Sequence, residues 1–193
     1  MTNYINTKFL LFILILIFTP CQSFLYSNTT EINSIVEKLS IKSSDIPKGF
    51  VIGKVPEGSK TVFKDNPGFL DKTGISKVTK EIYPNGDKNK VSEIHVTILA
   101  KPENILNDDM VCYIIFYKSN LFAKEEMSKF REYIQYHSDR SILLSADNIA
   151  IFILSNDIEN FDYIRELGGK MQKRLDSLKN TQNKQLNWII KSH

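Results

Sequence analysis

Val91–Ala100 reads VSEIHVTILA, and residues 111–117 read VCYIIFY. In the first stretch Ile94, Val96 and Ile98 alternate with Glu93, His95, Thr97 and Leu99. A period of two places alternate side chains on opposite faces of a strand, so Ile94, Val96 and Ile98 mark its apolar face. The second stretch is apolar nearly throughout, as expected of an interior strand covered on both faces. Beyond it the period changes. Over residues 121–137, Met127, Phe130, Ile134 and His137 form a stripe with Tyr133 beside it, while Glu125, Glu126, Lys129, Arg131, Glu132 and Gln135 take the other positions. This spacing predicts an amphipathic helix. Residues 141–144 and 149–154 then read as a hairpin about Ala146-Asp147-Asn148. A last helix runs from about 159 to 179, with Phe161, Ile164, Leu167, Met171, Leu175 and Leu178 three or four apart. Gly168-Gly169 interrupts it, at a bend or a close crossing over the sheet. Residues 91–179 thus give the order ββαββα. The expected fold is α+β, a mostly antiparallel sheet with helices packed on one face.

Upstream, Ile32, Ile35, Val36 and Leu39 share one helical face, and Asn28 with Glu31 has capping-box spacing. Polar residues 40–48 end that helix near Pro47. Residues 49–74 are rich in Gly, Pro and charge, with a short strand over 50–55 and a turn at Asn66-Pro67-Gly68. They form either an edge loop or a binding loop. Ile75, Val78, Ile82 and Tyr83 alternate imperfectly, and Asn85-Gly86 suits a tight turn, so a hairpin joining 75–83 to 91–99 is expected. Residues 181–193 are polar apart from Leu186, Trp188, Ile189 and Ile190, which would dock or fray.

The chain has 193 residues, 42% hydrophobic and 24% charged, which places it among globular domains. The net charge of +3 is too small for a nucleic-acid partner. Residues 9–18 read FLLFILILIF after a polar start carrying Lys8, and Thr19-Pro20-Cys21-Gln22-Ser23 breaks the run. A basic start, an apolar core of about ten residues and a polar break are the layout of a secretory signal peptide. The core is shorter than the roughly 17–25 residues of a membrane span.

Cys21 follows that core directly, with Pro20 before it and Phe18 three positions earlier. This placement resembles the leader of bacterial lipoproteins, whose cysteine becomes the first mature residue and carries the lipid. The resemblance covers only the leader, and no known family resembles the folded part. It implies residues 1–20 as signal peptide, Cys21 as lipid attachment site and a bilayer as partner through that anchor. Residues 21–28 then read as a tether, 29–180 as one α+β domain and 181–193 as a polar tail. Cleavage after Ser23 is the competing reading and leaves a freely secreted or periplasmic chain. Cys112, inside VCYIIFY, is expected as a buried small hydrophobe.

Catalytic signals are sparse. The three histidines are His95, His137 and His193, and neither HExxH nor CxxC occurs. There is no GxSxG elbow, P-loop or dinucleotide-binding glycine pattern. No cofactor, metal or catalytic residue is therefore expected. Glu93 and His95 share a strand face and form the one weak alternative pocket; a solvated strand face is the competing view. Tyr113, Tyr117, Tyr133 and Tyr136 line either a pocket or the core boundary. Lys170, Lys173, Arg174 and Lys179 give the last helix a basic, solvated face. The expected role is non-catalytic binding or structure at the cell envelope, with an envelope protein or small ligand as partner. The alternative is a secreted ligand-binding protein or hydrolase with a pocket between residues 49–74 and the sheet.

Overall fold

The computed structural model describes residues 29–81 and 85–191, with side-chain surroundings described from Thr30 to Asn180 apart from residues 82–84. The leader, Cys21, the tether and the Asn28 cap lie outside the described residues. The elements are α1 (Thr29–Leu39), β1 (Val51–Ile52), β2 (Gly68–Phe69), α2 (Lys72–Glu81), β3 (Val91–Ala100), β4 (Met110–Tyr117), α3 (Asn120–Ile134), β5 (Ser141–Ala146), β6 (Ile149–Ser155) and α4 (Phe161–Lys191). From β3 onward the order is ββαββα.

The fold is α+β with one antiparallel sheet. The strands run β1-β3-β4-β6-β5, and β2 joins β1 on the outer side of β3. Strands β4 and β5 both run antiparallel to β6, hence parallel to each other, so the chain needs α3 as a crossover between them.

The helices do not share one face, as the sequence pattern suggested; they cover both. Along β4, Met110, Cys112, Ile114 and Phe116 pack with Ile32, Val36 and Leu39 of α1 and Ile164, Leu167, Met171 and Leu175 of α4. The alternate residues Val111, Ile115 and Tyr117 pack with Ile75 of α2 and Ala123, Met127 and Phe130 of α3. The doubly apolar strands β4 and β6 require this arrangement, since a single helical layer would leave one of their faces in water.

Residues 72–81 are helix rather than the strand of a hairpin. Ile75 and Val78 stand three apart, Thr79 is buried, and Asp71 Oδ1 accepts from the Gly74 amide at 2.7 Å at the helix start. The supposed imperfect alternation is one face of a helix. In β3 a bulge between Val91 and Glu93 turns Val91 to the α2/α3 side, with Ile94 and Val96. Helix α4 continues through Lys191, past the expected start of a tail. Its Gly168 lies against β5: a Cβ there would come within 3.1 Å of Ile142 Cδ1, whereas Gly169 faces open space. Gly168, and not Gly169, therefore serves a close crossing.

Polar contacts tie the layers. Glu126, expected on the polar side of α3, is fully buried. It accepts from Lys129 Nζ at 2.7 Å and from the Asp87 amide at 2.9 Å, with Lys90 Nζ at 3.4 Å. Arg174 does not join a solvated face either. It pairs with both oxygens of buried Asp45, at 2.9 and 2.7 Å, and donates to the Ser40 carbonyl at 3.0 Å. That arginine fastens the segment after α1 onto α4.

Candidate functional site

The outer side of β3 is covered by β1, β2 and the side chain of Asn66. Two short strands cannot cover a strand of ten residues, and Asn66 fills the gap between them. Its Nδ2 donates to the carbonyls of Ile98 and Gly53, both at 2.8 Å, and its Oδ1 accepts from the Ile98 amide at 2.8 Å. The side-chain amide thus replaces a residue of backbone ladder. The Asn66-Pro67-Gly68 turn feeds directly into β2, and at Gly68 a Cβ would run into the Asp65 carbonyl.

Beside this turn lies a cavity of about 320 Å³, lined by Thr61, Lys64, Asp65, Phe69, Asp71 and their neighbours. Asp71 is already engaged by the Gly74 amide. A second, more open hollow of similar volume, lined by Lys38, Lys173, Arg174, Ser177 and Leu178, lies between α1 and α4.

Glu93 and His95 project to the α1/α4 side of β3, but not onto a solvated face. His95 is 6% exposed, pairs across the strands with Phe69, and meets its ring edge to face with centroids 5.2 Å apart. Burial pulls its pKa from 6.5 down to about 4, so the imidazole is neutral at pH 7. Its Nδ1 has no hydrogen-bond partner among the described residues. Partial burial also raises the Glu93 carboxyl above its ordinary value. Phe69 lines the cavity while neither Glu93 nor His95 does.

Other ionisable residues go to packing. Cys112 is a free, buried thiol, and burial pushes its pKa up to about 12, far from the thiolate form. Burial likewise raises Tyr113, whose ring stacks on Phe152 at 6.4 Å. His137 stacks on Tyr133 at 4.5 Å just beyond α3. Asp109 accepts from the Lys101 amide at 2.7 Å and Asp108 from Asn156, so the adjacent carboxylates hold the β3–β4 connection. Among the described residues no group of three or more His, Cys, Asp or Glu is placed to hold a metal ion. No described helix is long and apolar enough to cross a membrane.

Sequence reasoning missed Glu126 and Asn66. Glu126 carried a weak signal, being one turn from Phe130 and next to Met127; Asn66 carried none beyond its place in a turn. No protein-family model, curated protein or solved structure matches this chain.

Proposed function

We propose that this chain is exported and held at the cell envelope by a lipid on Cys21, its body acting by binding or by structure and not by catalysis. The observation that carries the reading is the leader: a ten-residue apolar core, a polar break and a cysteine at the break. The first buried side chain among the described residues is Ile32, eleven positions beyond Cys21. Only the eight positions from Cys21 to the start of α1 at Thr29 are free to act as a tether, and a chain of that length spans at most about 28 Å. Metabolic labelling with radioactive palmitate tests the anchor. Label on the wild type and none on Cys21→Ser supports it; equal label on both, or none on either, refutes it.

The cavity beside Phe69 favours a second reading, a chain released after Ser23 that binds a small ligand there. That reading requires a mature chain beginning at Phe24.

A further inference from the structure

The hollow between α1 and α4 gathers positive charge. It is lined by Lys38 of α1 and by Lys173, Arg174, Ser177 and Leu178 of α4, around about 320 Å³. Three of these five residues are cationic and none is a carboxylate. The charges come from two helices far apart in the chain, so only the completed fold brings them together. Arg174 is balanced: both oxygens of buried Asp45 and the Ser40 carbonyl accept from it. Lys38 and Lys173 are not. Both are exposed, and neither ammonium has an ion pair or hydrogen bond among the described residues. The neighbouring carboxylates stay out of the hollow. Glu166 pairs with Lys170 at 2.8 Å, Asp176 accepts from Gln172 Nε2 at 2.8 Å, and Glu37 does not line it. The carboxyl end of α1 would repel an anion through its free carbonyls. Here the Glu37 carbonyl already accepts from Lys42 Nζ and the Ser40 carbonyl from Arg174. Two like charges on one hollow repel each other, and an anion between them removes that repulsion.

We propose that this hollow is a binding site for a phosphate group, with Lys38 and Lys173 donating to its oxygens, one from each helix. Each ammonium offers three N–H donors as a compact point charge. Arg174, fixed by Asp45, holds the end of α1 against α4 and so sets the spacing of the two lysines. Leu178, half-buried beside them, gives the organic substituent of a phosphate ester an apolar contact. A free phosphate ester and a phospholipid headgroup present this same chemistry. The site depends neither on a lipid at Cys21 nor on the cavity beside Phe69.

The test uses the chain as purified from its own cells in a neutral detergent, whatever its N-terminus. Inorganic phosphate, titrated at constant ionic strength, should shift the amide resonances of Lys38, Ser177 and Leu178, with saturation at about 1–10 mM. Lys38→Gln and Lys173→Gln should each weaken binding about 5-fold. Lys124→Gln, which removes an exposed lysine of α3, should leave binding unchanged. Dihexanoyl phosphatidylglycerol, titrated in the same way, separates the two sources: tighter binding than inorganic phosphate assigns a lipid headgroup, and weaker binding a free phosphate ester. Shifts that stay linear to about 50 mM in both titrations, or the same affinity in all three variants, would overturn the proposal.

Discussion

Replacing His95 with phenylalanine isolates the contribution of one buried, neutral imidazole. In the unfolded chain the ring takes up a proton near pH 6.5; in the folded chain it does so only near pH 4. Between those values the unfolded state binds more protons, so acid weakens the fold, and above about pH 7 the effect vanishes. The full difference is worth about 3 kcal/mol, of which about 2 kcal/mol has been lost by pH 5. Glu93, on the same strand face, acts in the opposite sense. Its raised pKa lets the folded state hold a proton that the unfolded state has released, giving stability that disappears as pH rises through the folded value. Glu93 is present in both proteins, so the difference between their pH profiles reports His95. No charged partner faces His95 from the adjoining strands: Phe69 stands opposite on β2 and Ile114 on β4. Phenylalanine keeps the edge-to-face contact with Phe69 and removes an unpaired buried nitrogen. Urea denaturation of wild type and His95→Phe should therefore show curves that diverge below pH 6.5, with the wild type losing about 2 kcal/mol more between pH 8 and pH 5. Parallel profiles across that range would refute the burial argument.

Other perturbations test the joints of the fold. Asn66→Ala leaves the Ile98 amide and carbonyl without their side-chain partner; a loss of about 2 kcal/mol is expected, with faster hydrogen exchange at the Ile98 amide by NMR. Glu126→Gln keeps the shape but strips Lys129 and Lys90 of a buried counter-charge, so thermal unfolding should report a loss of about 2 kcal/mol, against well under 1 kcal/mol for the exposed pair partner in Arg165→Gln. In α4, Gly169→Ala should stabilise by about 0.5–1 kcal/mol, having open space and better helix propensity, whereas Gly168→Leu should destabilise by pushing into Ile142; equal effects in chemical denaturation would contradict the close crossing.

Much of this architecture was legible because its periods are long and clean. Strands β3, β4 and β6 and helices α3 and α4 follow from apolar spacing alone, since a ten-residue alternation or a six-member helical stripe has few other interpretations. Residues 72–81 were misread because Ile75 and Val78 are too few apolar positions to separate a period of 2 from one of 3.6, and the Asn85-Gly86 turn signal favoured a hairpin. Helix placement depended on a fact available in the sequence, the double apolarity of VCYIIFY, whose consequence is that helices must lie on both sides. Glu126 and Arg174 were illegible for another reason. A charge on a helix is solvated unless a partner far along the chain meets it, and Asp87, Lys90 and Asp45 are brought close only by the completed fold. His95 was misplaced similarly: alternation put it on the right face, but the strand that covers it, β2, is two residues long and leaves no periodic trace.

Whether Cys21 carries a lipid is tested most directly by intact-mass analysis of the chain recovered from the membrane and soluble fractions of its own cells. The proposed function predicts a chain that begins at Cys21 and carries acyl mass on that residue. A chain beginning at unmodified Phe24 in the soluble fraction, or one retaining Met1, would contradict it.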